Sequence, residues 1–159
     1  MTISNFIPAA VLVLAVTAGQ PGNSSVTGTL MVEGKTYKLT HVRALEQKDP
    51  FDASKKQIRV VLSDVDVPVK TLRSEDDYMD AINADKVHTV EFVFTTAGDP
   101  VTGGIKHDMS EHQFTVGSYK FEKTRFDATG VAGKVSVVSQ KTASWPFNAT
   151  ATFSAPITK

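Results

Sequence analysis

Near the C-terminal end, residues 144–155 (SWPFNATATFSA) alternate residue by residue between two kinds of side chain. Trp145, Phe147, Ala149, Ala151 and Phe153 fall in one phase; Pro146, Asn148, Thr150, Thr152 and Ser154 fall in the other. Successive side chains of an extended strand point to opposite faces, so this spacing predicts a strand with one face in a core and the other in solvent. A helix would scatter the same residues around its whole circumference. Such a strand needs a second layer to bury its apolar face, and the rest of the chain must supply it.

The same punctuation runs back to Val26. Residues 26–32 and 35–45 flank Glu33-Gly34, a hairpin in which glycine supplies the positive φ of the turn. In the second arm Tyr37, Leu39, His41, Arg43 and Leu45 share one phase, and Val42 and Ala44 the other. Residues 57–67 (QIRVVLSDVDV) are apolar in both phases, which predicts a central strand covered on both sides, ended by Pro68. Residues 87–96 alternate again, with His88, Val90, Phe92 and Phe94 opposed to Thr89, Glu91 and Thr95. Further strands are expected over 101–109, 113–122 and 131–139, the second of these running through Val116-Gly117-Ser118-Tyr119 without a break. One segment has helical grammar: residues 74–84 (SEDDYMDAINA) open on Ser74 as N-cap, place three acidic residues in the first turn and carry Tyr78, Met79 and Ile82 on one side. The fold class expected is all-β, mainly antiparallel, a β-sandwich or partly closed barrel with one short inserted helix over residues 74–84. No βαβ alternation points to a parallel sheet.

Residues 6–16 (FIPAAVLVLAV) form an uncharged apolar run too short to span a bilayer as a helix but suited to the core of an export signal. Val16-Thr17-Ala18 offers a cleavage site after Ala18. The organisation expected is a signal peptide over residues 1–18, a flexible linker over 19–25 and a single β domain over 26–159. The mature chain would then hold no transmembrane segment and work in the periplasm or outside the cell. Two other readings of the apolar run stay open, a first strand or short buried helix belonging to the fold, or a strand donated to a neighbouring subunit. The chain has no cysteine, which excludes disulfides, thiolate metal sites and cysteine nucleophiles. Lys+Arg and Asp+Glu balance at 17 each, so there is no cationic surplus of the kind that nucleic acid binding needs.

With thiolates excluded, imidazoles and carboxylates are the ligand types left for a metal. His41 and His88 lie in phase with apolar neighbours on strands, and His107-Asp108-Met109-Ser110-Glu111-His112 is locally dense. One inward residue from each of three strands can converge in a sandwich or barrel, so His41, His88 and His107 are candidate ligands for a divalent metal. Their spacing matches no zinc motif, and core-edge histidines and a solvated hairpin tip explain the same residues. No serine sits in a G-x-S-x-G elbow. Asp64 and Asp66 share a strand face that would suit a hard cation, or would simply discourage edge pairing. Trp145 reads as a core anchor rather than a carbohydrate platform, given its phase with Ala149 and Phe153. No catalytic or cofactor-binding residue is assigned.

Several segments together carry a resemblance: Gly28-Thr29-Leu30 with Val32, Gly34 and Lys35; Tyr37 and Leu39-Thr40-His41; Asp49-Pro50-Phe51-Asp52; Val61-Leu62-Ser63-Asp64; Lys86-Val87-His88; Gly103-Gly104 with His107; and the closing Ala151-Thr152-Phe153-Ser154-Ala155-Pro156. They resemble a family of exported, single-domain, β-rich bacterial proteins of unassigned function. The resemblance covers nearly the whole chain after residue 26 and implies export and a β fold, with no activity to carry over. The absence of Lys or Arg before Phe6 departs from that family's basic start.

The function expected is that of a non-enzymatic binding or structural module of the bacterial envelope or extracellular space, with a small ligand or a protein as partner. Two alternatives remain: a metal-binding protein or metal-dependent hydrolase using the histidines, and a self-assembling filament or tube subunit that keeps its apolar N-terminal strand.

Overall fold

The computed structural model describes residues 23–84, 86–108, 110–139 and 146–159. The export segment expected over residues 1–18, the first part of the expected linker and Trp145 lie outside the described residues. In chain order the elements are β1 (Ser25–Val32), β2 (Lys35–Leu39), β3 (His41–Lys48), β4 (Lys56–Ser63), α1 (Val69–Arg73), α2 (Glu75–Asn83), β5 (Thr89–Thr95), β6 (Pro100–His107), β7 (Ser110–Thr115), β8 (Tyr119–Asp127), β9 (Gly130–Val138) and β10 (Phe147–Thr158).

The strands form a curled, mostly antiparallel half-barrel, in agreement with the all-β expectation. One half is ordered β2-β1-β10-β9-β8 and the other β3-β4-β5-β6-β7. The long strand predicted from its alternation, β10, joins them. Its first ten residues pair antiparallel with β1 or β9, ending at Pro156 opposite Gly130. Its last pairs, Ile157 with Ala44 and Thr158 with Leu45, run parallel to β3. Proline has no N–H for a ladder, so Pro156 suits the point where the strand changes partners.

The inward faces of both halves close on one core, with Leu30, Val60, Val90, Phe92, Phe94 and Val135 fully buried. β4 is buried from Gln57 to Ser63, as its two-phase apolar pattern requires. Ile58, Val60 and Leu62 enter the main core, while Val61 joins a second cluster with Leu72, Tyr78 and Ile82 beneath the helices. The helices thus lie across the outer face of the second half.

α2 begins where its sequence says: Ser74 Oγ accepts from the Asp77 N–H at 3.3 Å, and Glu75, Asp76 and Asp77 fill the first turn. Ser74→Ala is expected to lower stability by about 1 kcal/mol, read as a shift in urea midpoint at constant slope, with Ser74→Asp restoring it. α1 escaped the sequence reading because five residues are too few to show a helical period.

Two expected strands are interrupted. The 35–45 arm breaks at Thr40, where the chain turns from one half to the other; Thr40 N–H donates to Ser63 O at 2.9 Å and its hydroxyl to Asp64 O at 2.8 Å. The break resets the phase, so Leu39 enters the main core and Leu45 the helix-side cluster. The 113–122 strand is two strands joined by a tight turn at Gly117, φ 95°, leaving Val116 exposed. That turn links the outer strand of one half to the outer strand of the other.

Candidate functional site

Strand register collects the histidines. His41 pairs with Ser63, Ser63 with Thr89, Thr89 with Lys106, and His107 with Ser110. Asp64 follows Ser63, His88 precedes Thr89 and His107 follows Lys106, so these residues share one rim of the second half. His112 lies on β7 opposite Ile105, which is itself opposite Val90 in the main core. Directly paired residues share a face, so His112 faces inward. His88 and His107, two positions from Val90 and Ile105, face inward as well. His41 is out of phase with them, one position before Val42.

Each ring has a distinct setting. His41 Nδ1 lies 2.9 Å from Thr40 Oγ1. Asp64 grips His88 twice: Oδ2 is 2.6 Å from the ring Nδ1, and Oδ1 accepts from the backbone N–H at 2.9 Å. The His88 ring stacks on Tyr37 of β2, with centroids 3.6 Å apart and planes 17° off parallel. His107, 1% exposed, stacks at 5.7 Å on His112, which lies 6.2 Å from Phe147 of β10. Burial pulls the His107 imidazolium below the ordinary histidine range and the nearby His112 adds to this, while Glu33 and Asp108 oppose it.

Glu33 and Asp108 stand on two hairpin tips that meet at this rim. Lys35 Nζ is 3.8 Å from Asp108 Oδ2, and the Glu33 N–H donates to Pro146 O at 3.1 Å. Both residues are left-handed, with φ of 51° and 41°. Ligating atoms of Glu33, His107 and Asp108 all lie within 4.8 Å of one another, the grouping of this kind among the described residues. Of the three histidines expected as ligands, His107 belongs to it; His41 is beside Thr40, and His88 is held by Asp64 and Tyr37. Sequence reading missed Glu33 and Asp108 because both were absorbed as turn residues. The available signal was Glu33 itself, since that turn position favours Asn, Asp or Gly.

Two other regions compete. A second polar cluster lies under the helices: Arg59 Nε donates to Glu91 Oε2 at 2.7 Å, and the Tyr78 hydroxyl donates to Glu91 Oε1 at 2.6 Å and lies 2.8 Å from Thr89 Oγ1. Arg59 and Lys106 stand over the Tyr78 ring at 5.1 and 4.9 Å. Burial, with the Glu91 carboxylate beside it, drives the Tyr78 phenol far above its ordinary pKa. Tyr78 is 0% exposed, so this cluster fastens α2 to the sheet and offers nothing to a ligand. Tyr78→Phe is expected to cost about 1–3 kcal/mol in denaturant unfolding, because Glu91 loses a buried donor. The other region is a depression of about 540 Å³ over the outer face of β1, β2 and β10, bordered by Thr27, Thr29, Thr150, Thr152 and Lys38. Threonines there face one another in register, Thr29 with Thr150 and Thr27 with Thr152. Lysine is its one ionisable side chain, so it holds less chemistry than the rim.

No helix among the described residues is long and apolar enough to cross a membrane. Comparison with family models, with curated proteins and with solved structures gave no match.

Proposed function

We propose that the chain is an exported, non-enzymatic binding domain of the bacterial envelope or extracellular space, and that it takes its ligand at the histidine-bearing rim. The observation that carries this reading is the convergence of three inward histidines with Tyr37, Asp64, Glu33 and Asp108 at one end of an otherwise apolar core. A few convergent polar groups over an aromatic floor are what small-ligand sites are built from. Pre-organisation supports it: the His88 ring is fixed by Asp64 on one edge and by Tyr37 on its face, so little order is lost on binding. The hydroxyls beside Asp64 and His41 are engaged with main-chain carbonyls, Ser63 with Val65 O at 2.7 Å and Thr40 with Asp64 O at 2.8 Å, so they serve to hold the rim in shape.

Native mass spectrometry of the chain purified from its source envelope fraction tests this. Wild type and the outer-face control Thr150→Ala are expected to retain a bound species that Tyr37→Ala and His112→Ala lose. A bound mass that survives both rim substitutions, or recovery of the bare chain alone, rejects the reading. The same spectra test export: the chain is expected to begin near Gly19, and an intact N-terminus rejects cleavage.

A further inference from the structure

We infer that the two hairpin tips at the rim form a divalent transition-metal site, with Glu33, His107 and Asp108 as its protein ligands. The inference rests on the rim being the binding end and names the ligand class it takes.

The donor set is one imidazole and two carboxylates. Magnesium and calcium favour all-oxygen shells and copper(I) favours sulfur, whereas a mixed nitrogen–oxygen set suits zinc, cobalt or manganese. The geometry is close to what such an ion needs. With bonds of about 2.1 Å, ligand atoms on a tetrahedral ion stand roughly 3.4 Å from one another. The three ligating atoms lie within 4.8 Å of one another, so the two carboxylates on the hairpin tips close that gap by rotating toward the ring by about an ångström.

The group is also unlike an ordinary acidic patch. Its imidazole is 1% exposed and stands at the end of β6, so two carboxylates from separate hairpins converge on a buried, rigidly mounted ring. Glu33 and Asp108 are the two non-glycine residues with positive φ among the described residues. For an L-residue that conformation costs about 1–2 kcal/mol, and Glu33 lacks the short side chain that makes it tolerable for Asp. Both left-handed residues fall in the same three-residue group. Lys35, 3.8 Å from Asp108, offsets part of the repulsion between the two carboxylates, and a dication would offset the rest. Glu33 is exposed, so the outward side of the ion stays open to water or to a further ligand.

The experiment uses the full chain, stripped with chelator and titrated with zinc by calorimetry and with cobalt by visible absorption. One equivalent of zinc is expected, with cobalt d–d bands in the visible. Glu33→Gln and Asp108→Asn change surface carboxylates without altering their size, so folding, checked by circular dichroism, is expected to hold. Each is expected to weaken zinc binding by about tenfold or more and to change the cobalt spectrum, while His41→Asn leaves both unchanged. Equal affinity in wild type, Glu33→Gln and Asp108→Asn overturns the site, as does loss of binding in His41→Asn. Absence of zinc binding alongside a rim-dependent species in the native spectra overturns the metal site and leaves the binding reading standing. Absence of both overturns both.

Discussion

Replacing Glu91 with alanine is expected to lower the unfolding free energy by about 3–5 kcal/mol, the usual cost of removing one partner from a buried ion pair. Glu91 is 6% exposed and takes donors from both Arg59 and Tyr78. Without it the Arg59 guanidinium stays buried with Leu72 O, 3.3 Å from its Nη1, as the acceptor left to it. Burial alone would pull the Arg59 pKa down, yet the guanidinium is held above its ordinary value, chiefly by the Glu91 charge and hydrogen bond. The pair is therefore tightly coupled, and removing both charges is expected to cost less than removing one. Arg59→Met with Glu91→Leu should be more stable than Glu91→Ala alone, because no uncompensated charge remains in the interior. Urea unfolding of the four-member cycle measures this. A Glu91→Ala loss below about 1 kcal/mol, or strict additivity in the cycle, would show that the pair is solvated rather than buried.

Glu91 also marks where the sequence stops being informative. Its alternation with Val90 and Phe92 predicts a side chain on the opposite face from the core, and that is where it lies. Alternation cannot say that α1 and α2 cover that face, so a residue of solvent type is buried. β4 announced this cover through its two apolar faces, and α2 through its cap and acidic first turn. Nothing local reported that the two belong together. The strand breaks at Thr40 and Gly117 were hidden for a related reason. At both points the chain passes from one half of the barrel to the other, and that choice is made by tertiary pairing rather than by the residues flanking the turn. The site followed the same division. The histidines are legible in sequence because few residue types share their chemistry. The partnership of His107 with Glu33 is not, since it joins tips of hairpins that belong to different halves.

Phe92→Ala, one residue along from Glu91, is expected to cost a similar 3–5 kcal/mol by a different route, the loss of buried apolar surface plus the cavity left behind. Phe92 is 0% exposed, with Tyr119 and Phe114 at centroid distances of 5.0 and 5.8 Å. Its ring thus ties β5 to both strands that flank the Gly117 turn. The residue opposite it is Gly103, which has no side chain to refill the space. A Cβ placed at Gly103 would overlap the Phe114 ring and come 2.6 Å from Glu91 O. By comparison Phe51, 97% exposed on the β3–β4 loop, is expected to tolerate serine within about 0.5 kcal/mol. The two large losses should also be separable in space. Phe114 lies 6.2 Å from Phe147, and Phe147 lies 6.2 Å from His112, so the Phe92 cavity opens beneath the rim. Native-state hydrogen exchange is expected to speed up at residues 112–115 in Phe92→Ala and in α2 in Glu91→Ala. If both substitutions loosened the same amides, the main core and the helix-side cluster would be one cooperative unit, and the rim would owe its order to the helices as much as to the aromatic floor beneath it.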